Sequence, residues 1–237
     1  MTKTIGILGG MGPYASFEFY KRVLALTPAT TDRDHLRIIL DVNPHIPSRT
    51  RHILYGEASP VPGMVDSLKR LQSYPVDEVY IPCNSACFFI DDIRRQVAVP
   101  VINIIERTCT ALKQFRDHSR SVMVLGAPIT YKKQTYKPFI NALGMEYLNH
   151  DEDIQLLVEK IIYSIKDFPS TAQTEQLAAV MGLVYDKYRP DIIILGCTEL
   201  SVKFDPRTHN LPTILVDSCT ELARYLVRSA SGSCNGE

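Results

Sequence analysis

Short apolar runs alternate along the chain with longer stretches in which apolar residues recur every three or four positions. Runs at residues 3–8, 36–42, 79–81 and 99–103, and again at 121–126, 192–195 and 213–217, have the length and content of buried strands. Helical spacing falls between them: from Pro13 through Phe17, Phe19, Tyr20, Val23 and Leu24 to near Pro28, then at 62–73, 88–96, 104–115, 154–166, 173–188 and 218–227. Pro13 suits a first helical turn, where its missing N–H costs nothing. The segment Asn43-Pro44-His45-Ile46-Pro47-Ser48-Arg49 carries two prolines and reads as a loop. Strand following helix in this order predicts an α/β fold of mostly parallel, doubly wound sheets flanked by helices.

The pattern repeats. A strand running into Gly9 returns as one running into Gly126, and a strand leading to Cys83 returns as one leading to Cys197. The members of each pair stand on the order of 115 residues apart, the size of one small domain. Both cysteine strands have an acidic lead-in, Asp77-Glu78 and Asp191. A degenerate internal duplication follows, with two pseudo-symmetric domains. The first is expected to hold residues 1–103 and 212–237, the second residues 104–211, and 229–237 is expected to be a frayed tail.

Composition narrows the class. The 26 basic and 26 acidic residues cancel, so no electrostatic footprint marks a nucleic-acid or anionic-membrane partner. No apolar run approaches the roughly 20 residues that span a bilayer, and the opening MTKTIGILGG reaches its glycines too early for a signal peptide. A cytoplasmic protein is expected. Six cysteines in 237 residues do not suggest a disulfide framework, which belongs to small secreted chains. No cysteine or histidine spacing marks a zinc site, and no metal is assigned. Cys109 and Cys219 fall in helical stretches as buried core thiols, and Cys234 falls in the polar tail as an exposed one.

The candidate chemistry sits at strand ends. Gly10-Met11-Gly12-Pro13-Tyr14-Ala15 fits G-x-G-x-x-A between a strand and a helix. The acid that would hold a ribose about 20 residues on is missing, since Asp41 comes later. The amides of this turn, at Met11 and Gly12, suit a small carboxylate better than a dinucleotide. Arg49 follows a strand's C-terminal end, where a guanidinium can hold a carboxylate through two parallel hydrogen bonds; Arg51 and His52 are nearby alternatives. Cys83 and Cys197 are matched thiols at the ends of matched strands. Each is followed by hydrogen-bonding residues that can hold a thiolate, Asn84-Ser85 and Thr198. A C-x-x-C redox motif is absent.

At four segments the chain resembles the aspartate/glutamate racemase family of cofactor-independent amino-acid racemases, most closely its aspartate branch. The segments are Gly9-Gly10-Met11-Gly12-Pro13, Asn43-Pro44-His45-Ile46-Pro47-Ser48-Arg49-Thr50, Pro82-Cys83-Asn84-Ser85-Ala86 and Gly196-Cys197-Thr198-Glu199-Leu200. The resemblance implies two pseudo-symmetric α/β domains with the active site in the cleft between them, usually in a homodimer. It implies a racemase that needs neither pyridoxal phosphate nor a metal, acting on aspartate, with Cys83 and Cys197 as acid and base on opposite faces of the α-carbon. Arg49, Thr50, Asn84, Ser85, Thr130, Lys166, Thr198 and Glu199, with Met11 and Gly12, are the implied substrate contacts. Cys87 stands where the family usually has histidine and offers a rival first thiol, and Ala127 and Ile129 replace the usual Thr and Gly. Glu199 replaces the histidine of glutamate racemases, which favours the aspartate branch. Racemisation of glutamate or a hydantoin and isomerisation of maleate are related alternatives. An NAD-dependent oxidoreductase and a non-catalytic amino-acid binding module are alternatives from other classes, since a fold does not fix a function.

Overall fold

The computed structural model describes residues 3–205 and 210–232. Cys234 and the end of the expected tail lie outside the described residues. In chain order the elements are β1 (Thr4–Gly9), α1 (Pro13–Leu26), β2 (Arg37–Val42), α2 (Arg49–Tyr55), α3 (Val61–Gln72), β3 (Glu78–Tyr80), α4 (Ile90–Arg94), β4 (Val101–Ile102) and α5 (Ile104–Leu112). They continue with β5 (Ser121–Gly126), α6 (Pro128–Lys133), α7 (Lys137–Ala142), β6 (Glu146–Leu148), α8 (Glu152–Asp167), α9 (Ala172–Tyr188), β7 (Ile192–Gly196), α10 (Thr198–Lys203), β8 (Ile214–Asp217) and α11 (Ser218–Ala230). Residues up to Ile104 and from Cys219 onward form one compact unit, and Ile105–Ser218 form another.

Each unit is built on a parallel four-stranded sheet, ordered β2-β1-β3-β4 in the first and β6-β5-β7-β8 in the second. The inner strands read as apolar runs because both faces are covered; β7 is buried at every residue, whereas the edge strand β2 is partly exposed. In each sheet the winding reverses beside the first strand, between β1 and β3 and between β5 and β7. Open parallel sheets bind ligands beyond the carboxyl ends of strands at such a reversal. Cys83 follows β3 and Cys197 follows β7, so each thiol stands at that position of its own unit.

The acidic lead-ins have a structural reason. Asp191, just before β7, accepts the N–H groups of Arg120 at 2.7 Å and Ser121 at 2.9 Å, and the Ser121 hydroxyl at 3.0 Å. Asp77, just before β3, accepts the Thr4 N–H at 2.7 Å. Each carboxylate thereby pins the start of the first strand of its sheet to the neighbouring strand. Helices then seal the faces. Met64, Leu68 and Leu71 of α3 pack with Leu8, Val79 and Ile93 in the first unit, and Val158, Ile161 and Ile165 of α8 pack with Met123, Leu177, Met181 and Ile193 in the second.

The structure corrects the sequence reading at several places. Arg49 is not in a loop but opens α2, whose N-cap Ser48 accepts the Arg51 N–H and whose C-cap Gly56 adopts φ 71°. The helix expected at 88–96 is instead a 3₁₀ segment, Asn84–Phe89, followed by the short α4. Between Ala127 and Leu148, where no element was expected, lie α6, α7 and β6. β8 pairs with β7 through Ile192↔Ile214 to Leu195↔Asp217, which places it in the second sheet and moves the boundary from 211 to Ser218. The apolar strand has a ready partner there, and Ile214 N–H also donates to Asp191 O at 2.9 Å. The tail does not begin at 229: Ser229 is buried in α11, donating to Glu78 Oε1 at 2.9 Å and accepting from Lys3 Nζ at 2.7 Å.

The Asp191 carboxyl is held below its ordinary 3.8, first by the Arg120 N–H and then by Ser121. Its folded value is depressed, so its contribution is complete above the unfolded value and is lost as pH falls through the folded one. Asp191→Ala should therefore cost about 1 kcal/mol near neutrality, the worth of hydrogen bonds at a largely exposed carboxylate. The difference from wild type should shrink as pH falls below about 4. Urea unfolding followed by circular dichroism measures both; a pH-independent difference contradicts the assignment.

Candidate active site

In the first unit Cys83 is the extended residue (φ −152°, ψ 110°) that caps the 3₁₀ segment beginning at Asn84. In the second, Cys197 is the extended residue (φ −144°, ψ 124°) that caps α10 beginning at Thr198. Each is a free thiol and each is 6% exposed. The two sheets therefore present their sulfurs from the same backbone conformation at equivalent positions. Asn84 and Ser85 are buried beside Cys83, and Thr198 and Glu199 beside Cys197. Cys87 is half-buried and donates to Asn103 Oδ1 at 2.9 Å.

Around the first thiol, the glycine turn is organised by Ser16, one helical turn after Gly12. Its hydroxyl accepts the Gly10 N–H at 2.9 Å and donates to Gly12 O at 2.7 Å, so the Gly10 amide is already engaged. Gly10 adopts φ +92°, and a Cβ there would stand 2.3 Å from the Asn43 carbonyl carbon. This glycine thus lets the loop after β2 close against the turn after β1, a packing role instead of a pyrophosphate cradle. Arg49 lies in the same junction. Its guanidinium is buried and donates to Pro47 O at 2.9 Å, Ile46 O at 3.3 Å and Met11 O at 3.0 Å, while Nε has no partner. Neutral carbonyls hold this cation. The nearby alternatives are occupied at the surface: Arg51 pairs with Glu57, and His52 Nδ1 lies 2.6 Å from Glu57 O. Thr50 follows Arg49 in the first turn of α2.

In the second unit α8 places Lys166. Asp151 caps that helix by accepting the Ile154 N–H, and the buried stripe Ile154, Val158, Ile161, Ile162 and Ile165 fixes which way its last turn faces. Lys166 Nζ lies 3.1 Å from Glu199 Oε1, and the Cys197 thiol donates to Glu199 Oε2 at 3.0 Å. Burial pushes the Cys197 thiol well above its ordinary value, the Glu199 charge adds to that, and Lys166 opposes it. Thr130, in α6, is buried with its hydroxyl unpartnered. The structure thus gathers Lys166, Glu199, Cys197 and Thr198 in the second unit, and Met11, Gly12 and Arg49 in the first. Two polar residues escaped the sequence reading. Ser16 is one. Gln155 is the other: buried, it donates to Gly126 O at 3.2 Å and Glu159 Oε1 at 2.9 Å, and the available signal was a polar residue inside the apolar stripe of α8.

Two parallel four-stranded sheets flanked by helices match the racemase fold, and the profile of the Asp/Glu/Hydantoin racemase family matches residues 8–226. The chain belongs to that family and is an isomerase of the racemase class. It is 28% identical over 229 residues to the broad specificity amino-acid racemase RacX of Bacillus subtilis, a match that spans 94% of this chain and 96% of that one. Its structure superposes on the aspartate racemase of Picrophilus torridus with a TM-score of 0.85 and 29% identity, covering 97% of this chain and 94% of that chain. The fold also matches a glutamate racemase of Francisella tularensis in complex with D-glutamate, with a TM-score of 0.65 and 17% identity, covering 100% and 84%.

Lysine cannot span the carbonyls that Arg49 holds, because its three donors share one nitrogen. Arg49→Lys should destabilise the first unit by about 2 kcal/mol, from charge-assisted bonds lost at buried carbonyls. The chain has no tryptophan, so circular dichroism in urea is the suitable probe. An unchanged midpoint would show that these contacts are incidental.

Proposed function

We propose that the protein racemises an amino acid with an acidic side chain, aspartate first, without pyridoxal phosphate, using Cys83 and Cys197 as the two acid/base groups. The observation that carries this is the equivalence of the thiols: same backbone conformation, same burial, same position in two sheets of the same order. Inversion of a carbon centre needs a base on one face and an acid on the other. Two groups of one type serve both directions, because each begins as base for one enantiomer and as acid for the other. In one direction the thiolate of the first cysteine takes the α-proton, and the thiol of the second delivers its proton from behind.

An α-proton is weakly acidic, so the carbanion depends on preorganised charge and hydrogen bonds. The buried Arg49 cation, held by neutral carbonyls and keeping one unpartnered donor, supports a carboxylate anchor in the first unit. The unpartnered Thr130 hydroxyl supports a polar contact in the second. Thr50, Asn84, Ser85 and Thr198, with the Met11–Gly12 turn, complete the proposed contacts. A homodimer belongs to the same proposal; exposed Leu40 and Val42, on one face of the edge strand β2, give it an apolar surface. So does residence in the cytoplasm, which fits five described cysteines that are all free thiols. A wider substrate range is the second reading, favoured by the similarity to the broad-specificity racemase along 94% of the chain.

The test is incubation of the purified protein with L- or D-aspartate in D₂O without added cofactor, following loss of the α-proton by NMR and enantiomer composition by chiral chromatography. Glutamate and a panel of neutral amino acids run in parallel to separate the two readings. Either enantiomer of a substrate should become racemic and α-deuterated. Cys83→Ser and Cys197→Ser should each lower the rate by about 10²–10⁴-fold, the usual worth of one acid/base group. Full activity in either variant refutes the paired-thiol mechanism.

A further inference from the structure

The two thiols match in backbone and burial but differ in what stands two residues later: Ser85 after Cys83, Glu199 after Cys197. Glu199 is 4% exposed; one oxygen carries a hydrogen bond and the other an ion pair. Oε2 accepts the Cys197 S–H at 3.0 Å, and Oε1 lies 3.1 Å from the ammonium of Lys166. The Lys166 ammonium, reaching from α8, is the counter-charge to this buried carboxylate. A thiolate at Cys197 would then face a second anion at hydrogen-bond distance with little water between, a strongly repulsive arrangement.

Other charged groups near Cys197 are accounted for. Glu159 of α8 accepts from Gln155, Asp217 at the end of β8 accepts the Ser201 hydroxyl at 2.5 Å, Lys203 lies at the far end of α10, and β5 carries no charge. Among the described residues, Glu199 and Lys166 are the charges that act on the thiol. Burial and Glu199 push its titration up, and Lys166 pulls it down.

We propose that Glu199, anchored by Lys166, is a positioning residue that holds Cys197 as the protonated member of the thiol pair in the resting enzyme, so that Cys197 rests as the acid and Cys83 as the base. This rests on the racemase function proposed above. It also turns Lys166 and Glu199 from substrate contacts into partners of the thiol. In the first half-reaction the Cys83 thiolate takes the α-proton, breaking C–H and forming S–H. Cys197 then gives its proton to the opposite face, breaking S–H and forming C–H. The enzyme is left with a thiol at Cys83 and a thiolate at Cys197, and turnover of the opposite enantiomer or exchange with water restores the resting form.

The test is the pH dependence of iodoacetamide alkylation at each thiol of the full chain, resolved by peptide mass spectrometry, in wild type, Glu199→Gln and Lys166→Met. In wild type the midpoint of Cys197 should lie above that of Cys83. Glu199→Gln should lower the Cys197 midpoint by about one pH unit or more, as loss of a like charge at contact distance does. Lys166→Met should raise it, and Cys83 should stay put in both. A merely structural role cannot produce opposite shifts confined to one sulfur. A wild-type Cys197 midpoint at or below that of Cys83, shifts of the same sign, or shifts shared by both thiols overturn the proposal. The wild-type order decides the matter even if a variant fails to fold. No substrate enters this measurement, so its outcome is separate from whether aspartate is racemised.

Discussion

Parallel pairing of the first and third strands of each sheet, β1 with β3 and β5 with β7, is the constraint on which the rest depends. Pairing in register carries the glycine turn of one strand and the cysteine of the other to the same edge of the sheet. Gly126 lies beside Gly196, the residue before Cys197. The clips made by Asp77 and Asp191 hold that pairing at its start, far from the thiols. The chemistry at one end of the sheet is thus set by hydrogen bonds at the other, because a parallel strand that slipped by one residue would turn every side chain to the opposite face.

Within the thiol sites the units share a scaffold and diverge in charge. The first holds a buried guanidinium on three neutral carbonyls. The second holds a buried carboxylate between a thiol and an ammonium. A cation surrounded by carbonyls keeps its attraction for an anion, whereas a carboxylate already matched by lysine has spent most of its own. The duplication therefore produces two different electrostatic environments, and the first is the better suited to hold a substrate carboxylate.

Much of the fold was legible in the residues. The short, β-branched run Ile192-Ile193-Ile194-Leu195 reads as a strand covered on both sides, and the spacing of Ile154, Val158, Ile161 and Ile165 reads as a helix. The paired cysteines and their acidic lead-ins exposed the duplication. What stayed hidden depends on local competition or on contacts distant in sequence. Pro44 and Pro47 concealed α2, although Ser48 and Gly56 bracket it as caps. Nothing in the spacing of 213–217 chose between two sheets; a free edge on β7 did. The Lys166–Glu199–Cys197 contact joins residues more than thirty positions apart, and no periodicity reports that. The roles of Ser16 and Gln155 came from hydrogen bonds to backbone groups of glycine turns, which sequence patterns do not display.

The most direct measurement is a crystal structure with aspartate bound. Two-sided proton transfer requires both sulfurs near the α-carbon, within about 4 Å and on opposite faces, close to the separation of reacting atoms in a productive complex. Sulfurs on the same face, or one of them beyond about 6 Å from that carbon, too far for direct transfer of a proton, would contradict it.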